Sequence, residues 1–218
     1  MRSTTTPRLE VQSLRARKKT QTRRRIADAA ATLFAAKGYD AVTVLEVAHL
    51  AEVSEQTVYN FFPSKELLVL DEDAAFEARL VGMIRERPAG MKISDAVRAG
   101  AQKFLKELRA RPKSPMSRGG LPCLINTSPV VRRAWLAAVE RYAGAVGKAL
   151  AEERTGAVAS LSSRILGLSI ATIFSTILEE IGRATLRGAT TRSLHSFHDQ
   201  IDEAIDRLAP ALNSFQSR

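Results

Sequence analysis

The stretch TVLEVAHLAEVSEQTVYNFFPSKELL, residues 43–68, contains two short helical patterns separated by three residues. Thr43 and Glu46 form a capping box, in which each side chain satisfies a free backbone N–H of the other residue, so a helix begins here. The segment 52–54 then reads as a turn, and Ser54 is a typical N-cap for a second helix. Two linked helices are therefore predicted over about residues 43–62.

Apolar residues indicate what these two helices pack against. Ile26, Ala30, Leu33 and Phe34 follow a helical period, which predicts a first helix over about residues 20–37, ended by Gly38 as a C-terminal cap. The apolar residues of the pair have the spacing to pack on that helix; they are Val44, Val47, Ala48, Ala51, Val53 and Val58. This is a helix-turn-helix layout. A plain helical hairpin is the alternative that spacing alone leaves open.

The outward face of the second helix is rich in hydrogen-bonding groups, whereas a solvated face is more often Lys and Glu. Gln56 and Asn60 match the edge of adenine and the Thr57 methyl suits thymine, while the helix has no Lys or Arg to read guanine. We therefore expect it to read A·T pairs, unless Asn60 contacts only the DNA backbone. The predicted contacts are Ser54, Glu55, Gln56, Thr57, Tyr59 and Asn60, with Thr43 and Lys65 at helix starts.

Charge is concentrated at the N-terminus. Residues 1–25 hold nine Lys or Arg and one Glu, a net +8 of the formal +10 of the whole chain. We predict a disordered basic arm over residues 1–19 that is attracted to polyanions, with a solubilising tail as the alternative. Arg23, Arg24 and Arg25 join the predicted DNA contacts.

Composition indicates an ordinary globular protein. The chain has 218 residues, of which 45% are hydrophobic and 26% charged, and a single Cys excludes an internal disulfide framework. We see no secretory signal and expect a cytoplasmic protein. Further helices are predicted over about 64–88, 94–110, 128–153, 157–185 and 191–209, the last stopped by Pro210. The predicted fold is all-α: a helix-turn-helix unit over residues 20–66 and a larger helical bundle over residues 67–218.

Residues 20–68 resemble the tetracycline-repressor (TetR) family of bacterial transcription regulators. The shared features are the first helix, Gly38-Tyr39, the Thr43-Val44 helix start, Val53-Ser54-x-x-Thr57-Val58-Tyr59, and Lys65-Glu66-x-Leu68. The resemblance implies a homodimer that binds a palindromic operator in double-stranded DNA and releases it when a small molecule enters the bundle. We expect a repressor rather than an activator.

Two residues depart from the family pattern. Glu52 stands where many relatives have Gly, at a point in the turn where a left-handed backbone favours Gly by about 1 kcal/mol. Phe61 stands where relatives often have a His or Tyr that reaches a phosphate. Phosphate contacts should then come more from Tyr59, Thr43, Lys65 and the arm.

The C-terminal half contains weaker signals. Candidate ligand-binding residues are Phe104, Cys123, Trp135, Tyr142 and Phe174, although each taken singly is more typical of core than of a pocket lining. The segment 165–178 is apolar almost all round, which predicts a helix that is buried on two sides. The resemblance places the dimer interface on this helix and the last one. Candidate interface residues are Ile170, Ile173, Ile177, Ile201 and Ile205.

Other chemistry is disfavoured. His195, His198, Asp199 and Asp202 have a spacing that could hold a metal but is more typical of a solvated stripe, and Cys123 lacks the basic neighbours of a redox sensor. No cofactor is expected, and no enzymatic motif occurs. The rival hypothesis is an architectural or partner-binding helical protein whose arm coats DNA or membrane without sequence preference.

Overall fold

The structure is a computed structural model and describes residues 7–71, 73–110, 120–153, 160–188 and 196–214. Over these ranges the regular elements are helical, without a strand, as predicted. The α-helices are α1 Pro7–Lys37, α2 Val44–Leu50, α3 Glu55–Phe61, α4 Asp73–Arg85, α5 Ile93–Ala110, α6 Leu121–Thr127, α7 Pro129–Glu152, α8 Leu161–Leu186 and α9 Ser196–Asn213. A short 3₁₀ turn, Lys65–Leu68, lies between α3 and α4.

The first helix corrects the prediction of a disordered arm. It begins at Pro7, so residues 7–19 are helical, while residues 1–6 lie outside the described part. Between Leu9 and Lys37 there is no Gly or Pro, and the C-terminal half of α1, which packs in the core, already supplies the helix nucleus. Extension of the helix towards the N-terminus then adds residues such as Arg, Lys, Gln and Leu, which have high helix propensity. The basic residues thus belong to a helix.

The helix-turn-helix unit forms as predicted. Glu46 N–H donates to Thr43 Oγ1 over 3.2 Å, and Thr43 N–H donates to Glu46 Oε2 over 2.8 Å, which is the capping box. Gly38, with φ of 80°, ends α1. All six predicted apolar residues contribute, since five are buried and Val53 is half-buried against the same core. The unit is held by a shared apolar centre between α1, α2 and α3.

Three predicted boundaries were wrong. The helix expected over 64–88 is divided into the 3₁₀ turn and α4. The helix expected from residue 157 begins at Leu161 behind the Ser160 N-cap; residues 157–159 lie outside the described part. Pro210 does not stop the last helix, because Leu212 is buried and the Asn213 side chain accepts the Ser94 N–H over 3.1 Å. Tertiary contacts hold that last turn against the proline.

The bundle is built around α7 and α8, which pack closely along their lengths. A Cβ on Gly167 would lie 2.3 Å from the backbone oxygen of Ala143, so only glycine permits this approach. Helix α6, which the sequence did not predict, packs across α8, and α5 pairs with α9. Ser128 caps α7 and donates to Asp40 Oδ1 over 3.1 Å, which ties the bundle to the helix-turn-helix unit.

Candidate DNA-binding surface and ligand cavity

The exposed face of α3 presents two side-chain amides and a phenol. Gln56, Asn60 and Glu55 are exposed, and Tyr59 keeps 42% of its surface accessible. Val58, on the opposite face, is almost fully buried and fixes the rotation of the helix. A helix with a rigid apolar back and a polar front can be inserted into the major groove without unfolding its core.

Gln56 and Asn60 contact each other. Nε2 of Gln56 donates to Oδ1 of Asn60 over 3.2 Å, one helical turn apart. This bond uses one donor hydrogen and one lone pair, and leaves Oε1 of Gln56 and the NH₂ of Asn60 for another partner. The two amides that the sequence singled out therefore form one acceptor–donor pair, the pattern that complements the N6/N7 edge of adenine.

Three of the hydroxyls predicted to meet DNA are occupied within the protein. Ser54 Oγ accepts the Thr57 N–H over 3.1 Å and lies 2.8 Å from Thr57 Oγ1. Thr43 Oγ1 accepts from Glu46 and donates to its carboxylate. Thr43 and Ser54 are N-caps, so the backbone N–H groups of the first two residues of α2 and α3, rather than these hydroxyls, remain available to a phosphate.

Glu46 is anchored beside that cap. Hydrogen bonds from Lys37 and from the Thr43 backbone lower the pKa of Glu46 to about 2. The carboxylate accepts from Lys37 Nζ over 2.6 Å, so this acid at the start of α2 stays ionised. A negative charge near a helix N-terminus is stabilising, which strengthens the α2 start.

Two residues predicted to contact DNA have partners within the protein. Nη1 of Arg23 donates to the Phe61 carbonyl over 2.9 Å, and its guanidinium lies over the Phe62 ring at 4.4 Å. Lys65 donates to the Tyr39 carbonyl over 2.6 Å and lies over its ring at 4.2 Å, and partial burial lowers its pKa. Sequence reasoning had no signal for these roles, since the partners lie 26 and 38 residues away.

Exposed basic residues run along α1. Arg24 and Arg25 are exposed, as are Arg15, Arg17, Lys18 and Lys19 nearer the start of the helix. They provide the positive charge that a nucleic-acid backbone attracts. Successive residues of a helix point about 100° apart, so these side chains lie on several sides of α1.

The turn before α3 has the conformation that its sequence position predicts. Glu52 has φ of 51°, in the left-handed region, and it is the only non-glycine with positive φ among the described residues. Its N–H donates to the His49 carbonyl, and Val53 N–H donates to the Ala48 carbonyl. The turn is closed despite the side chain at a position that favours glycine.

A cavity of about 180 Å³ lies between the helix-turn-helix unit and the bundle. Three of the five predicted ligand residues line it, namely Phe104, Trp135 and Tyr142. Cys123 is fully buried near the Gly182 carbonyl, and Phe174 packs outside the cavity at 5.8 Å from Phe104. The remaining lining consists of Ala27, Asp28, Ala31, Leu68, Val69, Leu70, Asp71, Asp73, Phe76, Leu108, Gly120, Leu121, Pro122 and Leu178.

Phe76 is the central cavity residue that sequence reasoning missed. Its ring centroid lies 5.3 Å from those of Phe104 and Tyr142, and 6.0 Å from that of Trp135. The sequence did contain one signal for it: Phe76 precedes the apolar Leu80 by four residues, so the two side chains lie on the same face of α4. The three carboxylates of the lining carried no comparable signal, because they come from separate elements.

A family model described as bacterial regulatory proteins, tetR family, matches residues 26–71, which span the helix-turn-helix unit and the turn after it. The chain belongs to the TetR family. It is a DNA-binding transcriptional regulator of that family.

Relatives match well beyond the DNA-binding unit. The HTH-type transcriptional regulator TcmR of Streptomyces glaucescens is 26% identical over 209 residues, covering 91% of this chain and 88% of TcmR. Two solved structures share the fold. NalD of Pseudomonas aeruginosa, the secondary repressor of the MexAB-OprM multidrug efflux pump, is 18% identical with a TM-score of 0.58, over 86% of this chain and 96% of NalD. FadR of Thermus thermophilus, a TetR-family repressor in complex with lauroyl-CoA, is 24% identical with a TM-score of 0.50, over 90% and 96%.

This TetR-family chain leaves an apolar groove open between α8 and α9. The groove is lined by three of the five predicted interface residues, Ile173, Ile177 and Ile201. The other two, Ile170 and Ile205, are fully buried in the protomer and do not line it. Ile170 follows Leu168 by two residues and so points to the other side of α8. Exposed apolar residues near or on the groove are Leu161, Ile165, Leu168 and Leu208.

By length and composition α8 is apolar enough to cross a membrane, but half of its most apolar stretch is buried within the protein, which is typical of a core helix. The described residues contain no group of three His, Cys, Asp or Glu side chains that could hold a metal ion; His195 lies outside these residues, and Asp202 pairs with Arg98 at 3.1 Å.

Proposed function

We propose that the protein is a repressor that binds a palindromic operator as a homodimer and releases it when a small molecule enters the cavity. The observation that carries this proposal is the exposed amide pair on α3, held on a rigid helix-turn-helix unit. NalD and FadR, which have the same fold, are described as repressors, and FadR was solved with a bound acyl-CoA. These likenesses support the proposal.

DNA contacts divide into reading and positioning. Gln56 and Asn60 are proposed to read an A·T pair in the major groove, with Tyr59 and Glu55 beside them. Arg24, Arg25 and the start of α1 are proposed to contact phosphates, together with the N-termini of α2 and α3 behind Thr43 and Ser54. Arg23 and Lys65 instead hold α3 and the Tyr39 segment in place.

The proposed dimer interface is the groove between α8 and α9, with the exposed leucines beside it. A contiguous apolar surface of this kind favours association, because burial in a dimer removes it from water. Two-fold symmetry would place the same groove on both subunits and the two α3 helices on successive turns of the operator.

The cavity is suited to regulating α3. Ala27, Asp28 and Ala31 belong to α1, so a molecule in the cavity would touch the DNA-binding unit directly. Asp71 lines the cavity and pairs with Arg23, which in turn donates to the last carbonyl of α3. Only two direct contacts therefore separate the cavity from the recognition helix.

We further propose a division of labour along the chain. Residues up to about 66 bind DNA, and the remainder binds the effector and the second subunit. The protein is proposed to act in the cytoplasm on DNA and to have no catalytic activity.

Footprinting on the promoter region beside its own gene tests the function. We expect protection of an inverted repeat with two A·T-containing half-sites at salt concentrations that remove non-specific binding. Uniform, salt-sensitive coating without a repeat would instead support the architectural alternative. The exposed basic residues of α1 favour that alternative, because they attract DNA of any sequence.

A further inference from the structure

The charged groups of the cavity all have one sign. Among the described lining residues the ionisable acids are Asp28, Asp71 and Asp73, and no Lys, Arg or His lines the cavity. Arg23 and Arg141, the partners of Asp71 and Asp73, approach these carboxylates from outside the lining. An anionic molecule in the cavity would therefore meet carboxylates first, whereas a cation would be attracted.

The aromatic walls have the same preference. The indole N–H of Trp135 donates to Ser175 Oγ over 2.9 Å, and the phenol of Tyr142 donates to Asp73. Burial and the neighbouring Asp73 raise the pKa of Tyr142, so its proton is retained. Since both donors are used within the protein, a ligand meets ring surfaces whose negative faces favour a cation.

The size of the cavity limits the ligand. An engineered apolar cavity of about 150 Å³ binds benzene, so about 180 Å³ accommodates one ring with a small substituent. Larger molecules would require α1, α4 or α5 to move apart.

We infer that the effector is a small aromatic cation, an amine or quaternary ammonium on a single ring, held by the aromatic walls and the aspartates. The inference rests on the proposal that this cavity is the effector site. The ring would lie against the cavity-facing sides of Phe76, Trp135 and Tyr142, and the positive charge would lie towards Asp28 and Asp73. Asp28 is the exposed member of the three carboxylates, so it would meet an incoming cation first.

Trp135 makes the inference directly measurable, because it is the only tryptophan of the chain. The full-length protein is titrated with benzylammonium, benzyl alcohol and benzoate, which have nearly the same shape and different charges, while tryptophan fluorescence is followed. We expect benzylammonium to bind about tenfold more tightly than benzyl alcohol, and benzoate most weakly. Equal or tighter binding of the alcohol or of benzoate overturns the inference, as does a lack of binding by all three at millimolar concentration.

Matched variants locate the charge. Asp28→Asn should reduce benzylammonium affinity several-fold and leave benzyl alcohol affinity unchanged. Glu203→Gln, an exposed acid on α9 paired with Arg207, is the control and should alter neither. If Asp28→Asn and Glu203→Gln behave alike, and Asp73→Asn also leaves the preference for the cation intact, the carboxylates do not select the ligand.

The outcome is separable from the proposed function. Operator binding is measured without ligand, so absence of a protected inverted repeat defeats the repressor proposal whatever the fluorescence shows. Conversely, a protected repeat that forms while the alcohol binds as well as the cation defeats only the inference on ligand class.

Discussion

Arg23 holds the cavity residue Asp71 with two nitrogen atoms on one oxygen: Nε lies 2.6 Å and Nη2 lies 2.5 Å from Oδ1 of Asp71. The third nitrogen, Nη1, donates to the Phe61 carbonyl at the end of α3. One guanidinium thus joins α1, the recognition helix and the cavity wall. Both side chains are only partly buried, so their role is to position α3 more than to add stability.

Arg23→Gln should therefore weaken operator binding without changing the number of phosphate contacts. Loss of the guanidinium leaves the Phe61 carbonyl without its donor and frees the end of α3. We expect the dependence of log K on log salt to keep its slope. A phosphate contact would instead lower the slope by about 0.9 per protomer, and that result would return Arg23 to the DNA-contacting set.

Gln56→Ala should cost operator affinity selectively. The variant removes the acceptor of the Gln56–Asn60 pair, whose value depends on the base opposite, so a loss of about 1–3 kcal/mol is expected on the operator and little on scrambled duplex. Titrations on both duplexes measure the difference. Equal weakening on both would show that α3 is not the reader.

Removal of residues 1–19 should act on every sequence. It deletes six basic side chains, Arg2, Arg8, Arg15, Arg17, Lys18 and Lys19. If most lie near phosphates, the salt slope should fall by up to about 5 per protomer. A variant with Gln at the four basic positions of 15–19 keeps the helix and tests charge alone; an unchanged slope in both would leave this segment as a solubilising extension.

Glu52→Gly should stabilise the protein. The residue has φ of 51°, where a side chain costs about 1 kcal/mol that glycine avoids, and part of the gain is lost to the freer unfolded chain. We expect the free energy of unfolding to rise by about 0.5–1 kcal/mol in denaturant titrations. Glu52→Ala keeps the strain and serves as the control; if it stabilises equally, the backbone conformation is not the cause.

Leu168→Glu should dissociate the dimer and leave the protomer folded. Leu168 is 52% exposed on the α8–α9 groove, so the charge remains in water in the monomer and is buried only at the interface. Sedimentation and circular dichroism measure the two outcomes. Leu136→Glu, at a residue of similar exposure on α7 outside the groove, should remain dimeric. A dimeric Leu168→Glu would place the interface elsewhere.

Ile170→Asp is the contrasting case. Ile170 is fully buried within the protomer, so the introduced charge has no access to water. We expect it to lower the free energy of unfolding by several kcal/mol and so to unfold the protein. The comparison separates loss of association from loss of folding, which a substitution at Ile173 or Ile177 alone would confuse.

Local sequence determined the helix starts and the recognition face. The Thr43–Glu46 box, the Ser54 and Ser128 caps, and Gly38 depend on residues within three or four positions, so spacing alone predicts them. The outward amides of α3 followed from the same short range, whereas the left-handed turn at Glu52 was expected from the family resemblance, because many relatives have Gly at that position. These are the features that also carry the family resemblance.

Tertiary structure alone decided which polar residues are free and which apolar residues are covered. Arg23 and Lys65 have the composition of DNA contacts, yet partners 26–48 residues away occupy them. Asp28 lines the same cavity as Asp71 and Asp73 only because the packing brings α1 to that cavity. Ile170 and Leu168 are both apolar residues of one helix, and the rotation of α8 against α7 puts one in the core and the other at the surface. Such choices depend on long-range packing, which no local pattern encodes.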